Sequence, residues 1–227
     1  MMTKTGFHAL AAEHQAQYLS ILEAHGHDLD EALNHHIDTS QGKRPYVLTS
    51  DLQRTHILPV FKVLRNIAEL KRVAGVPDHH FESGNLKDTH IDYPAPWDDR
   101  LNRLIDRADS SEHLHSMLTQ DHRKAVRKAA QAYVLGHSKH AAAASYEPII
   151  NATMFPTLIA SFAGNTLYIK AGDTYTIAPP EGVTADPQNP YVVTFADITI
   201  EETGQLLFAV PTALNVTGTF AKVPKPS

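Results

Sequence analysis

The residues best suited to chemistry are gathered in one 22-residue stretch, residues 75–96, which shows neither helical nor strand periodicity. Loops of that length are uncommon in compact domains and are often functional or disordered. Imidazole and carboxylate groups are common ligands of Zn, Fe, Mn and Ni. If the loop folds back on itself, the sequence predicts a site for a divalent transition metal formed by His79, His80, Glu82, His90 and Asp92.

Two other interpretations of these five residues stay open. Because histidine titrates near neutral pH, the same side chains could act as general acid and base without a metal. They could equally form a solvated polar loop that has no chemical role. No Ser, Lys or Thr nucleophile stands out beside them, so the sequence favours no particular reaction.

Motifs that would specify a reaction are missing from the sequence. The helical zinc motif with two histidines and a glutamate does not occur, and neither do the glycine-rich loops that bind phosphate or dinucleotides. Glu112 and His115 form a single Glu-x-x-His pair, half of what a carboxylate-bridged di-iron bundle requires. The chain has no cysteine, which excludes disulfides, thiolate metal sites and thiol nucleophiles. Nucleotide binding is therefore disfavoured, and the one cofactor suggested is the divalent metal.

Histidines and basic residues divide the chain into two parts of different composition. All 15 histidines lie between His8 and His140, and 17 of the 20 lysines and arginines precede residue 140. The change falls at Ala141–Pro148. The composition therefore predicts three segments, namely a His-rich helical domain over residues 1–140, a connector over 141–148 and a β domain over 149–227.

Helical spacing of apolar residues dominates the first part. We expect a helix from Phe7 that ends at Gly26, because glycine is preferred just past a helix end, and a second helix capped by Asp28. The capping-box spacing of residues 50–53 predicts a third helix, and the apolar residues of Trp97–Ala108 predict another. Four to five helices with short links suggest an antiparallel N-terminal bundle.

The second part shows the alternation of short strands, with a glycine in each of three similar segments. These segments begin at Leu167, Ile198 and Leu214, and each passes from an apolar-any-apolar run through a glycine to further apolar residues. The pattern favours strand, tight turn and strand, since glycine supplies the positive φ of the turn. We therefore predict an α+β protein with a small C-terminal antiparallel β sandwich or barrel. A short β-solenoid, with the segments stacked as rungs, is the alternative.

A well-patterned fold without a catalytic constellation favours a non-catalytic role. We expect a structural, assembly or recognition protein that forms homo-oligomers, or binds a surface or protein partner, through strand edges of its β domain. One alternative is a metal-dependent enzyme or metal-binding protein that uses the loop histidines 79–92. The other is a secreted toxin-like protein with a membrane-active helical part and a β binding part.

Charge and hydropathy limit the partners that the sequence suggests. The net charge of -5 argues against general nucleic-acid binding, and no run of about 18 apolar residues predicts a membrane span. No apolar core of a secretory signal follows Met1, which leaves the cytoplasm as the default compartment and export by another route open. If many histidines are accessible, the charge rises from -5 as pH falls through about 6.5, which would let assembly respond to pH.

Overall fold

A computed structural model describes residues 6–41, 46–82, 91–185 and 189–224. In these ranges the helices are α1 (Ala12–His25), α2 (Leu29–Asn34), α3 (Ile67–Ala74), α4 (His79–Glu82), α5 (Asp99–Arg107), α6 (Ser111–Met117), α7 (Gln120–Ala132), α8 (Ala141–Ala144) and α9 (Glu147–Met154). The strands are β1 (His36–Asp38), β2 (Tyr46–Leu48), β3 (Val60–Leu64), β4 (Thr157–Ile169), β5 (Thr174–Ile177), β6 (Tyr191–Glu201), β7 (Gln205–Phe208), β8 (Thr212–Val216) and β9 (Phe220–Val223). A 3-10 turn, Phe7–Ala9, precedes α1, and an irregular helical turn, Tyr133–His137, follows α7.

The chain folds into two compact units. The first, the β unit, comprises Met1–Lys62 and Ile159–Ser227, and the second, the helical unit, is the continuous segment Val63–Leu158. These limits differ from the ones that composition suggests, because the segment before Lys62 folds with the C-terminal strands.

Two sheets of parallel strands form the β unit, and they overturn the antiparallel prediction. In the larger sheet the strand order is β1–β4–β6–β8, with β9 also beside β6 and β3 also beside β4. The smaller sheet has the order β2–β5–β7. Leu167 of β4 lies beside Ile198 of β6, and Tyr175 of β5 lies beside Leu206 of β7, in parallel register. The β1–β4, β2–β5, β6–β8 and β6–β9 pairs are parallel as well. The predicted antiparallel sandwich or barrel is therefore wrong, and the fold is a mixed α/β one.

Two of the three glycine-centred segments form corners between the sheets instead of hairpins. In the third, Gly218 lies between β8 and β9, which both pair with β6 in the larger sheet. The predicted positive φ occurs at Gly172 but not at Gly204 or Gly218. Gly172, with φ 82, lies in the turn that follows β4 and leads the chain into β5 of the other sheet. Gly204 lies in the equivalent turn between β6 and β7. Since β4 pairs with β6 and β5 with β7, successive strand–corner–strand units lie parallel to one another. An apolar run, a glycine and a second apolar run describe a hairpin and such a corner equally well, so the pattern alone did not separate them.

One face of the larger sheet carries large side chains that pack toward the smaller sheet. Phe162 and Phe195 of the larger sheet form a buried cluster with Tyr175 and Ile177 of the smaller one. Leu48 of β2 belongs to the same cluster and is also completely buried. This cluster is the core of the β unit.

The opposite face of the larger sheet carries small residues, and α1 packs there. Ala163 and Ala196 share a buried cluster with Tyr18 and Leu22 of α1. The Tyr18 hydroxyl donates to the Gly164 carbonyl oxygen at 2.9 Å, and burial raises the pKa of this hydroxyl. Burial on both faces explains why β4 and β6 are buried at nearly consecutive positions, which is typical of parallel sheets.

The ends of the first two helices agree with the sequence. Gly26 follows α1 in the left-handed conformation, with φ 78, and its N–H donates to the Glu23 carbonyl oxygen. The Asp28 side chain accepts a 2.9 Å hydrogen bond from Glu31 N and so caps α2. Both predictions are confirmed because each depends on local backbone geometry that a single residue type determines.

The predicted all-helical character of residues 1–140 is wrong. Three strands, β1, β2 and β3, precede His140. Residues 50–53, expected to start a helix, form a bend and turn instead, and part of the expected helix is β3. The apolar positions Val60 and Leu64 fit helical spacing, but β-branched Val60 and Val63 also suit a strand. Pairing with β4, which lies about a hundred residues later, decides between the two.

The helical unit contains short helices instead of the predicted four- to five-helix bundle. Its longest helix, α7, has 13 residues. Trp97, Leu114 and Ile149 are buried, and the Trp97 ring meets the Tyr146 ring edge-on with centroids 5.0 Å apart. Trp97 N also donates to Ser145 Oγ at 2.9 Å. Within the described ranges, no helix combines the length and apolar character needed to cross a bilayer.

Candidate functional site

The predicted metal ligands lie in and after a one-turn helix of the helical unit. His79, His80 and Glu82 belong to α4, and Asp92 lies in the irregular segment before α5. The ring centroids of His79 and His80 are 4.2 Å apart. His90, the fifth predicted ligand, lies outside the described residues.

Both carboxylates of the predicted site have a lysine partner. Glu82 Oε1 lies 2.9 Å from Lys139 Nζ, and the carboxylate of Asp92 pairs with the Lys128 ammonium. Both pairs are largely exposed, so each contributes little to stability. A metal ion bound by these carboxylates would compete with the ammonium groups for the same oxygen lone pairs.

Asp78, which is not among the predicted ligands, anchors the start of α4. Its carboxylate pairs with the Lys71 ammonium and accepts a 2.6 Å hydrogen bond from Ser138 Oγ. Lys71 also donates to the Tyr133 carbonyl oxygen at 3.1 Å. Burial acts to raise the pKa of Asp78, but the hydrogen bonds from Lys71 and Ser138 outweigh it and hold that pKa below its usual value. The Lys71 and Asp78 side chains are only 15% and 16% exposed, so this ion pair is screened less by solvent than the pairs of Glu82 and Asp92.

Aromatic contacts anchor the loop on both sides of residues 83–90. The Phe81 ring meets the His137 ring edge-on, with centroids 3.7 Å apart. The Tyr93 hydroxyl hydrogen-bonds His137 Nδ1, and the Tyr93 ring stacks on His140 at 4.2 Å. The described ends of the loop therefore lie against the same segment, residues 133–140.

The described acidic residues of this loop, Asp78, Glu82 and Asp92, each pair with a lysine. No group of three His, Asp or Glu side chains suited to a metal ion occurs within residues 6–41, 46–82, 91–185 and 189–224. Because His90 falls between these ranges, the five-residue metal site stays a prediction.

A second candidate lies in the β unit and was not predicted from the sequence. It is a cavity of about 190 Å³, named here the histidine cavity. Its polar lining residues are His27, Asp28, Glu31 and His35. Its apolar walls are formed by Ala32, Ile57, Leu58, Pro59, Val60 and Ala163. The sequence signal for this site is a pair of histidines, His27 and His35, on either side of a short segment that is acidic at its start.

The polar wall of the histidine cavity is held by a partly buried hydrogen bond. His27 Nε2 lies 2.8 Å from Ser161 Oγ of β4, and Ser161 is completely buried. Burial, with a contribution from the neighbouring His35, lowers the pKa of His27 to about 4. Burial also lowers the pKa of His35, although the nearby Glu31 carboxylate opposes the shift. Both imidazoles are therefore neutral at neutral pH, and the lining residues carry negative charge only.

His25 lies beside His27 in the interior of the β unit. It is 4% exposed, its ring centroid is 6.5 Å from that of His27, and its Nδ1 has no hydrogen-bond partner among the described residues. Burial, then the charges of His27 and Lys62, lower its pKa to about 4. A proton on His25 would therefore be both poorly solvated and close to other cations.

A third feature is the C-terminal edge of the sheets, defined as strands β7, β8 and β9. In the described chain, β7 is the last strand of the smaller sheet, and β8 and β9 are the last strands beside β6 in the larger one. Three large apolar side chains of this edge are about half exposed, at 52% for Leu207, 46% for Phe208 and 59% for Phe220.

Comparison of the chain with models of protein families, with curated proteins and with solved structures found no match in any of the three.

Proposed function

We propose that this protein is a non-catalytic assembly protein that self-associates through the C-terminal edge of its β unit. The observation that carries the proposal is the position of β7. This strand pairs with β5 on one side, and no described strand covers its other side. Alternate N–H and C=O groups of such an edge strand are free to pair with a further strand.

The side chains of the C-terminal edge suit this use. Proteins commonly protect an exposed edge strand with charged residues or proline. Gln205–Phe208 and Thr212–Val216 contain neither, and Lys222 is the one charged residue of Phe220–Val223. The exposed Leu207, Phe208 and Phe220 add apolar surface that pairing with another strand would remove from water.

A second copy of this chain is the partner that we propose. A two-fold axis beside β7 would pair the strand with its own copy, and closed two-fold dimers are the commonest oligomers of soluble proteins. The net charge of -5 disfavours contact between copies in general, but β7 and β8 carry none of that charge. Association at this edge therefore brings few like charges together.

Sedimentation velocity with two matched lysine variants tests the proposal. Leu207 and Leu52 are both exposed leucines of the β unit, at 52% and 59%, but only Leu207 lies in the C-terminal edge. At about 50 μM protein, above the micromolar dissociation constants of weak specific interfaces, we expect a dimer for the wild type and for Leu52→Lys. We expect a monomer for Leu207→Lys. A monomeric wild type, or equal dissociation of the two variants, would contradict the proposal.

The metal-binding alternative has less support from the described residues. Glu82 and Asp92 already pair with lysines. Of the three histidines predicted as metal ligands, the structure describes only His79 and His80. Native mass spectrometry of protein expressed with added metal reports copy number and bound metal together. A monomer with one stoichiometric metal ion would favour this alternative over the assembly role.

A further inference from the structure

The histidine cavity combines features of a ligand site in a part of the molecule that the proposed assembly role does not use. Its volume of about 190 Å³ is smaller than the about 300–1,000 Å³ of pockets that bind drug-sized ligands. The cavity therefore suits a ligand of fewer than about ten non-hydrogen atoms. Because Glu31 is exposed and Leu58 is 55% exposed, the cavity has a mouth at the surface.

The charges of the lining residues determine whether the cavity favours a cation or an anion. Asp28 and Glu31 contribute two carboxylates, and no lysine or arginine is among the described residues that line the cavity. The two imidazoles are neutral at neutral pH, because burial lowers the pKa of both His27 and His35. An anionic ligand would therefore meet only like charge, whereas a cation would be attracted.

The polar atoms and the apolar walls select the kind of cation. His35 Nε2 has almost no accessible surface, so the polar groups that the cavity offers to a ligand are chiefly the carboxylates of Asp28 and Glu31. Ile57 and Val60 line another part of the same small space. Since no three His, Asp or Glu side chains of the described residues converge as metal ligands, the arrangement fits an N–H donor better than a metal ion.

We propose that the histidine cavity binds a small primary ammonium ion, whose N–H groups pair with Asp28 and Glu31 and whose short alkyl chain packs against Ile57 and Val60. A primary ammonium has three donors, which match the oxygens of two carboxylates. Charge-assisted hydrogen bonds of this type are about twice as strong as neutral ones. The alkyl chain would add the burial of apolar surface.

Calorimetric titration of the full chain at pH 7.5 tests this site with n-butylammonium, n-butanol, butyrate and zinc as probes. We expect saturable binding of n-butylammonium, and binding of n-butanol and butyrate that is at least about fivefold weaker, because neither places a positive charge beside the carboxylates. Equal binding of n-butylammonium and n-butanol would overturn the proposal, as would no n-butylammonium binding at about 10 mM. Zinc binding without n-butylammonium binding would overturn it in favour of a metal site.

Two variants of α2 separate a specific contact from a general effect of charge. Glu31 lines the cavity, whereas Asp30 does not, and both acidic side chains are exposed on the same helix. Glu31→Gln should weaken n-butylammonium binding about fivefold, and Asp30→Asn should leave it within about twofold of the wild type. Equal effects of the two substitutions would overturn the assignment.

NMR spectra locate the bound ligand independently of these variants. Addition of n-butylammonium should shift the imidazole signals of His27 and His35 and leave those of His14 in place. A shift of the His14 signals without a shift of the His27 and His35 signals would contradict the site.

Discussion

The imidazole of His27 and the hydroxyl of Ser161 form a hydrogen bond of 2.8 Å between residues 134 positions apart in sequence. The bond joins the turn between α1 and α2 to the buried strand β4. It therefore fixes the N-terminal helices of the β unit against the larger sheet, at the wall of the histidine cavity.

Removal of the Ser161 hydroxyl tests the importance of this hydrogen bond. Ser161→Ala leaves His27 Nε2 without its partner, and we expect the free energy of unfolding to fall by about 1–2 kcal/mol. Ser40→Ala is the control in the same unit, because the Ser40 hydroxyl bonds Asp38 at an exposed position and its loss should change stability by less than about 0.5 kcal/mol. Urea denaturation measures both values. Equal changes for the two variants would contradict a structural role for the His27–Ser161 bond.

Acid should destabilise the β unit through its buried histidines. The pKa values of His25 and His27 are lowered to about 4 from 6.5 in the folded protein, so the unfolded chain binds more protons than the folded one between these values. The contribution of these two neutral histidines to the free energy of unfolding is therefore fully present above about pH 6.5, and it is lost as the pH falls toward 4. For His25, which is 4% exposed, the decline should reach about 3 kcal/mol.

A histidine variant identifies the residue responsible for this pH dependence. His25→Gln should flatten the decline between pH 6.5 and 4 measured by urea denaturation, because glutamine takes up no proton there. His14→Gln, in the same helix but at a side chain that is 45% exposed, should leave the decline unchanged. A wild-type stability that does not change over this pH range would refute the assignment.

The Lys71–Asp78 and Lys139–Glu82 ion pairs should contribute differently to stability, because the first is mostly buried and the second is exposed. Asp78→Ala leaves the Lys71 ammonium, which is 15% exposed, without its carboxylate, and we expect a loss of about 3 kcal/mol of stability in the helical unit. Glu82→Ala removes an exposed partner of Lys139 and should cost less than about 1 kcal/mol. Thermal and urea unfolding compare the two variants. A larger effect for Glu82→Ala would contradict the structural account of the loop.

Alanine substitutions at two glycines should separate the effect of a steric clash from the effect of backbone strain. A Cβ on Gly75 would lie 2.5 Å from the Lys71 carbonyl oxygen and 2.8 Å from the Val134 carbonyl oxygen, so Gly75→Ala should cost more than about 2 kcal/mol. Gly182 has φ 75 but open space around its Cβ position, so Gly182→Ala should cost only the conformational strain of about 1 kcal/mol. Denaturant unfolding measures both costs. If Gly182→Ala proves the more harmful, the packing around Gly75 is described incorrectly.

The sequence predicted local features better than the pairing of distant segments. Gly26 and Asp28 determine helix ends by their own geometry, so these were found from single residues. The segments from Leu167 and Ile198 predicted strands and turns, but whether each second strand folded back or entered another sheet depended on partners far away in sequence. The nearly continuous run of apolar and small residues in β4 is typical of a strand buried on both faces of a parallel sheet, as β4 is, and it differs from the alternation of a strand with one exposed face.

The candidate sites could be predicted from the sequence only in part, because they also depend on contacts between distant segments. The histidines of residues 75–96 stand out in the sequence, but Lys128 and Lys139, which pair with Asp92 and Glu82, are recognisable as their partners only in the fold. The histidine cavity depends on the meeting of α2, residues 57–60 and Ala163. No periodicity or motif links these three segments.

Hydrogen exchange at two protein concentrations tests the central claim, self-association at the C-terminal edge, most directly. Alternate N–H groups of an edge strand point away from its paired neighbour, so those of β7 should exchange freely in a monomer and slowly in a strand-paired dimer. We predict that the amides of residues 205–208 become protected as the protein is concentrated from about 1 μM to about 100 μM, through the range of weak specific association. The amides of β4 should be equally protected at both concentrations. Unchanged exchange in residues 205–208, together with oligomers that protect a different surface, would contradict the account.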